Sequence, residues 1–284
     1  MAKELRDIGA SVRARLLNLA RTRHQAMDLF LTRYAIERLL HRLSTSSHRD
    51  RFVLKGAMLV TTWFDDPHRP TRDVDLLGYG DAAPEAMLSM FREIAAIEAN
   101  DGIEFETSSM RIDPIRGNVE HGGLRLRMTA VLAAARIPVV VDVGFGDAVE
   151  PGIEEIDLPA LLDFPRPRLR AYARETVIAE KFQAMVALGL ANTRMKDFYD
   201  IWALSRAYEF DPERLRRAIR ATFDRRATPI PRVAPDALTP VFSTSASKQQ
   251  QWAAFARDLT TGVPTLEVVC DDIAGFLMPH SVLA

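Results

Sequence analysis

Two aspartates, Asp73 and Asp75, stand on either side of a valine in a short apolar stretch. Residues i and i+2 of a strand point to the same face, so a strand here would place both carboxylates side by side. Adjacent carboxylates repel each other unless a cation lies between them, and Mg²⁺ prefers oxygen ligands and bridges to phosphates. The pair therefore predicts a metal site for phosphate chemistry. The alternative is two exposed residues at the edge of a sheet.

A second group of residues, Lys55-Gly56-Ala57, ends the apolar run that precedes these aspartates. A glycine between a strand and a helix lets backbone N–H groups approach a phosphate. The segment is not a Walker A loop, because no Gly-Lys-Ser/Thr is present. We predict strand, turn, helix, loop and strand over residues 52–77, with Lys55, Gly56 and Ala57 placed to contact phosphate. The alternative is that Gly56 only makes a turn.

A third carboxylate, Asp142, lies in the β-branched run at residues 137–145, which predicts a buried strand. A lone carboxylate is costly to bury in apolar surroundings. Placed beside Asp73 and Asp75, it would complete a two-metal site, with one metal on the phosphates and one near the attacking oxygen. We therefore predict Asp142 as the third metal ligand.

The segment 194–200 carries charges at helical spacing. Lys196, Asp197 and Asp200 fall within one arc of a helical wheel, which predicts an amphipathic helix. In the functional interpretation Lys196 and Asp197 face the active cleft. In the alternative they form a solvated face held by a Lys196–Asp200 pair. Lys181, on the preceding predicted helix, could likewise bind a triphosphate or only extend into water.

The predicted elements form an α+β protein, a small mixed sheet flanked by helices. Helices are predicted at 8–24 and 26–43, a mixed α/β block follows, and helices return from residue 175. We divide the chain into an N-terminal helical cap (1–50), a catalytic core (51–165) and a helical C-terminal domain that completes the active site (166–284). The first two helices could instead be a helix-turn-helix DNA reader, but they are long and apolar and their turn lacks the usual glycine.

Composition narrows the class of protein. The 284 residues are 48% hydrophobic and 26% charged, with a net charge of -1. The single cysteine excludes a disulfide framework and fits the cytoplasm, and no apolar run is long enough to predict a membrane span. Residues 1–51 (11 Lys/Arg against 5 Asp/Glu) and 164–226 (14 against 8) are both basic. These zones could bind a polyanion or be ordinary solvated surface.

Five motifs occur in series: Lys55-Gly56-Ala57, then DVDL at 73–76, VVVDVGFGD at 139–147, AEKFQAM at 179–185 and RMKDFYD at 194–200. In this order and spacing the chain resembles the AbiEii (AbiEii/AbiGii) nucleotidyltransferases, a family that includes toxins of AbiE-type and MenT toxin–antitoxin systems. The resemblance implies a polymerase-β-like nucleotidyltransferase core, an NTP substrate, Mg²⁺ (with Mn²⁺ as an alternative ion) and a cognate antitoxin.

The resemblance also implies roles for particular residues. The family's metal-binding carboxylates match Asp73 and Asp75, and its lysine motif matches Lys181. Its R-x-K-D-x-x-D motif matches Arg194, Lys196, Asp197 and Asp200. Ala57 departs from the family pattern, which has Gly or Ser after the first glycine, so one hydroxyl contact to phosphate is lost while the backbone N–H remains.

These observations predict nucleotidyl transfer from an NTP to an RNA hydroxyl, the tRNA 3′ end being the acceptor of MenT-like relatives. Lys181, Lys196 and Arg194 would bind the phosphates and stabilise their negative charge. Asp142 or Asp197 would accept the hydroxyl proton or hold a second metal. The alternatives are a protein or small-molecule acceptor, or a non-catalytic nucleotide- or DNA-binding module.

Overall fold

The computed structural model describes residues 2–64, 71–115, 122–257, 259 and 262–281, with side chains from residue 8 onward. The chain forms two compact units. Among the described residues, the first comprises those up to 64, 71–146 and 154–171, and the second comprises 147–153 and those from 172 onward. The predicted three-part division of the chain stays a prediction.

The first unit is built on a mixed sheet, for which the described residues supply seven strands in the order β3-β4-β5-β2-β1-β7-β6. Strand β2 pairs antiparallel with β1 and parallel with β5, and β4 pairs antiparallel with both β3 and β5. The strands are β1 (Phe52–Lys55), β2 (Asp73–Gly78), β3 (Ile103–Pro114), β4 (Leu124–Leu132), β5 (Ala135–Phe145), β6 (Ile153–Asp157) and β7 (Arg168–Tyr172). This arrangement confirms the predicted α+β class.

One face of this sheet is apolar because buried residues alternate with polar ones along β2, β4 and β5. Three helices of the first unit pack against this sheet, and a short fourth one continues from β1. They are α1 (Ala2–Thr22), α2 (Met27–Thr45), α3 (Gly56–Val60) and α4 (Pro84–Ala95). The predicted helices at 8–24 and 26–43 are thus confirmed, with α1 beginning earlier than predicted.

The helix-turn-helix alternative for α1 and α2 is not supported by this packing. Arg38 and Arg42, which would have to face DNA, are buried in α2. Arg42 forms a two-pronged ion pair with Asp101, and Arg38 pairs with Glu37. These two arginines are bound inside the fold and cannot contact the phosphates of DNA.

The second unit is mainly helical, as the sequence predicts from residue 175. Its helices are α5 (Arg174–Leu188), α6 (Met195–Ala207), α7 (Pro212–Arg225), α8 (Pro240–Ser243), α9 (Ala246–Ala256) and α10 (Leu266–Ser281). Stacked and tilted phenylalanines fill its core, with ring centroids 5.3 Å apart for Phe182 and Phe223 and 5.2 Å for Phe198 and Phe242. No helix in the described part of the chain has the length and hydrophobicity needed to cross a bilayer.

A capping side chain explains where α7 begins, but none is found at the start of α9. Asp211 caps α7, because its carboxylate accepts hydrogen bonds from the backbone N–H groups of Glu213 and Arg214. Helix α9 begins after Ser245. The Ser245 side chain makes no capping bond and meets the Ser247 hydroxyl instead, at 3.3 Å.

Candidate active site

The two central aspartates lie on the polar face of β2. Asp73 is exposed and Asp75 is half-buried, while Val74 and Leu76 between and beyond them are buried on the opposite face. This alternation follows directly from the period of two in a strand. The structure therefore places both carboxylates on one face, as their spacing predicts.

A row of charged residues crosses the sheet at this point. Strand register aligns Lys55 with Asp75, Asp75 with Asp142, and Asp142 with Arg125. The row continues to Asp113 on β3, which aligns with Arg125. Register partners point to the same face, so five neighbouring strands present two basic and three acidic groups on the polar side of the sheet, with Asp75 and Asp142 directly adjacent. We call these five residues the charged row.

Within the charged row, Asp142 is held by Arg125. The arginine Nε donates to Asp142 Oδ1 at 2.7 Å and Nη2 donates to Oδ2 at 2.6 Å. These bonds, and behind them the negative charges of Asp142, Asp73 and Asp75, raise the pKa of Arg125 above its ordinary value. Asp142 thus lies beside Asp75 as predicted, but both of its oxygens are engaged by a cation of the protein.

Gly56 lies directly against Asp75. Its φ of +70° is in the left-handed region, and a Cβ built on it would stand 2.0 Å from Asp75 Oδ2. Residue 56 must therefore be glycine both for its backbone conformation and for the space that the carboxylate occupies. The turn between β1 and α3 is therefore in direct contact with Asp75.

A second cluster lies in the second unit, between α5 and α6. Lys181 Nζ is 2.6 Å from Asp197 Oδ1 and 2.9 Å from Asp200 Oδ2, and Arg194 Nε is 3.0 Å from Asp197 Oδ2. Lys181 is 11% exposed, and the side chains of Asp197 and Asp200 are 3% and 0% exposed. The interpretation of this stripe as a solvated face held by a Lys196–Asp200 pair is therefore wrong, because Asp200 is buried and binds Lys181.

The remaining predicted residue of this segment, Lys196, is exposed on α6. The residues predicted from the sequence thus fall into two separate clusters. One group is Lys55, Gly56, Asp73, Asp75 and Asp142 on the sheet, and the other is Lys181, Arg194, Asp197 and Asp200 around the α5–α6 contact. Their catalytic and nucleotide-binding roles stay predictions.

Arg125 is the residue that sequence reasoning missed. The alternation in β4, with Leu124 and Leu126 buried and Arg125 and Arg127 on the other face, was a visible signal that Arg125 lies on the polar face. The sequence does not show which strand pairs with β4, because the register of β4 against β5 is set by tertiary packing. The pairing with Asp142 therefore needed the structure.

The carboxylates on the sheet supply some of the oxygen ligands that a hard divalent cation needs. Asp73 and Asp75 supply carboxylate oxygens on one face, and the glycine turn leaves room for the second of them. No group of three or more His, Cys, Asp or Glu side chains suited to a metal occurs among the residues that the structure describes. Two carboxylates are thus placed for a metal, and the predicted third ligand is occupied by Arg125.

Comparison with solved structures supports the fold. A crystal structure described as a proposed nucleotidyltransferase from Helicobacter pylori matches with a TM-score of 0.50 and 14% identity, over 91% of this chain and 95% of that one. The JHP933 structure from Helicobacter pylori matches with a TM-score of 0.48 and 13% identity, over 90% and 96%. At 14% identity the first likeness shows the fold alone, and nothing is concluded from the second. No curated protein sequence matches the chain.

The family comparison covers both clusters described above. The family described as the nucleotidyl transferase AbiEii toxin of type IV toxin–antitoxin systems matches residues 38–276. That range includes the β1–α3 turn, the charged row and the α5–α6 contact. Since the match spans most of its length, the chain belongs to the AbiEii family of nucleotidyltransferase toxins.

Proposed function

We propose that this nucleotidyltransferase transfers an NMP group from an NTP to an RNA hydroxyl, at the 3′ end of tRNA, and that it requires Mg²⁺ or Mn²⁺. The observation that carries the proposal is the carboxylate pair Asp73 and Asp75 beside the Gly56 turn. A carboxylate pair next to a glycine turn offers oxygen ligands for a metal and backbone donors for phosphate at one place.

Asp73 and Asp75 would hold the metal. When bound, the ion neutralises phosphate charge and orients the NTP. The backbone N–H groups of Gly56 and Ala57, at the start of α3, would donate to the triphosphate, and Lys55 would add positive charge. Ala57 offers no hydroxyl, so the backbone provides the contact at that position.

The family motifs supply the remaining cations. We assign Lys181, Lys196 and Arg194 to the stabilisation of the triphosphate. Lys196 is exposed, whereas Lys181 already balances two buried carboxylates. Lys196 therefore has the greater freedom to contact substrate, and Lys181 has a structural role in addition to any contact with phosphate.

The reaction itself is a displacement at the α-phosphorus. The acceptor hydroxyl oxygen forms a bond to that phosphorus, the bond to the oxygen that bridges to the β-phosphate breaks, and pyrophosphate leaves. The hydroxyl proton passes to a base, for which Asp142 and Asp197 are the two candidates. Each is bonded to a cation of the protein, Asp142 to Arg125 and Asp197 to Lys181.

RNA is the acceptor that the charge distribution favours. Residues 164–226 carry an excess of Lys and Arg, and Arg217, Arg220 and Lys196 among them are exposed. The N-terminal basic zone contributes less than its sequence suggests, because Arg38 and Arg42 are buried in ion pairs. Exposed cations bind a polyanion and make that binding dependent on salt.

One experiment identifies the acceptor. Protein, Mg²⁺, each radiolabelled NTP in turn and total RNA are incubated, and the products are separated on a denaturing gel. We expect label at the position of tRNA with wild type and none with Asp75→Ala. Label on protein or at the dye front would assign a protein or small-molecule acceptor instead, and absence of any difference between wild type and Asp75→Ala would contradict the proposal.

The toxin role follows from the family, which belongs to toxin–antitoxin systems and so implies a cognate antitoxin. We place the reaction in the cytoplasm, where NTPs and tRNA occur together. Expression of the chain alone should then arrest growth in a manner that Asp75→Ala abolishes. Co-expression of the neighbouring reading frame should relieve the arrest.

A further inference from the structure

The starting observation is the state of Asp142. Two-metal sites of this kind need a carboxylate that faces both the first ligand pair and the second ion. Asp142 has the required place, because its register partner on β2 is Asp75. Its two oxygens, however, each accept a short hydrogen bond from the Arg125 guanidinium, at 2.7 and 2.6 Å. A carboxylate bound in this two-pronged manner has its strongest acceptor directions occupied.

The surroundings of Arg125 let its guanidinium take the place of a metal ion. The guanidinium is 39% exposed on the polar face of the sheet and Asp142 is 18% exposed, so the pair borders solvent rather than the core. The pKa of Arg125 is raised chiefly by Asp142, and the charges of Asp73 and Asp75 act in the same direction. A single arginine therefore lies in the combined field of all three carboxylates.

The charge balance leads to the same conclusion. Asp113, at the end of the charged row, is paired with Arg127 at 2.7 Å and is left out of the balance. Asp73, Asp75 and Asp142 carry three negative charges, and Lys55 and Arg125 carry two positive ones. One negative charge is left over, which a single divalent cation more than compensates. A second divalent cation would give the site a large positive charge before substrate binds and would have to displace Arg125 from Asp142.

We propose that Arg125 holds Asp142 away from metal, so that the site takes one divalent cation, on Asp73 and Asp75, instead of two. The proposal rests on the metal assignment made above. Arg125 is then a positioning residue for the site. Its guanidinium occupies the place where a two-metal enzyme holds its second ion.

The test counts bound ions and does not depend on turnover. Free Mn²⁺ is titrated by electron paramagnetic resonance against wild type, Arg125→Gln, Asp142→Asn and the Arg125→Gln/Asp142→Asn double variant. The Asp73→Asn/Asp75→Asn variant serves as the reference, because it removes the proposed ligands and leaves any unrelated Mn²⁺ sites. Thermal unfolding of every variant without metal checks that each is folded.

We expect wild type to bind one Mn²⁺ more than the reference, Arg125→Gln to bind two more, and the double variant to return to one. Asp142→Asn should bind the same number as wild type, which keeps the test decisive even if Arg125→Gln fails to fold. Two ions on wild type with one lost in Asp142→Asn would overturn the proposal, as would a folded Arg125→Gln that gains none. Wild type that binds no more Mn²⁺ than the reference would contradict the metal assignment itself.

Discussion

At position 56 only glycine leaves room for the carboxylate of Asp75. The Cβ of any other residue would stand 2.0 Å from Asp75 Oδ2, and the φ of +70° would also be strained. The clash involves Asp75 because the strand that carries Asp75 pairs with the strand that ends just before Gly56. The orientation of a proposed metal ligand is therefore controlled by a residue with no side chain.

We expect Gly56→Ala to lower nucleotidyl transfer by about 100-fold or more, since a displacement of about 1 Å at a catalytic group can have that effect. The strained backbone should reduce the free energy of unfolding by about 1–3 kcal/mol. The measurements are the initial rate of label transfer and urea denaturation. Gly122→Ala is the matched control, because a Cβ there meets nothing within 4 Å. Equal activity of the two variants would show that Asp75 does not need its present position.

At the scale of elements, α5 and α6 are joined by a buried charge cluster. Lys181 on α5 binds Asp197 and Asp200 on α6, both of them buried. A buried ion pair adds little over apolar packing, but the removal of one partner leaves uncompensated charge in the interior. The contact between these helices thus depends on the presence of all three residues.

Lys181→Met should therefore lower the free energy of unfolding by about 3–5 kcal/mol, because two buried carboxylates lose the cation that they share and Asp197 keeps only Arg194. Lys196→Met is the control from the same motif, and at its exposed position it should change stability by no more than about 0.5 kcal/mol. Chemical denaturation gives both values. If Lys196 contacts the triphosphate, its variant should lose activity at unchanged stability. A Lys181→Met protein as stable as wild type would show that the cluster is not structural.

Some features of these elements could be predicted from the sequence, and others could not. The alternation of Asp73, Val74 and Asp75 was sufficient to predict β2 and its polar face, and Gly56 was sufficient to predict the turn before α3. Pairings between distant strands were not predictable, so the register that joins Asp142 to Arg125 was missed. On α6 the helical wheel placed Lys196, Asp197 and Asp200 on one arc, but Lys196 is exposed and the two aspartates are buried. Their burial depends on α5, which a wheel does not contain.

At the scale of the whole molecule, the one cysteine reports on the integrity of the second unit. Cys270 is 1% exposed in α10, and burial, with smaller effects of Asp271 and Glu267, raises its pKa to about 12. A thiol with so high a pKa is almost entirely protonated at neutral pH, and the thiolate is the reactive form. Its reaction with a thiol reagent therefore requires the surrounding helices to open.

We expect Cys270 in the native protein to react with Ellman's reagent at pH 8 at least about 100-fold more slowly than in urea-unfolded protein, because reaction follows opening of the structure. Absorbance at fixed reagent concentration measures both rates, and the single cysteine makes the signal unambiguous. Lys181→Met should accelerate the native reaction through its lower stability, and Lys196→Met should not. Immediate reaction of the native wild type would contradict the burial of α10.

The catalytic claim is tested most directly by the fate of the phosphates. Two reactions are run with Mg²⁺ and total RNA, one with NTP labelled at the α-phosphate and one with NTP labelled at the γ-phosphate. Nucleotidyl transfer predicts that the α-label enters RNA and the γ-label leaves in pyrophosphate, and that Asp75→Asn and chelation of Mg²⁺ each abolish the transfer. Entry of the γ-label into RNA, or transfer that persists in Asp75→Asn, would contradict the account.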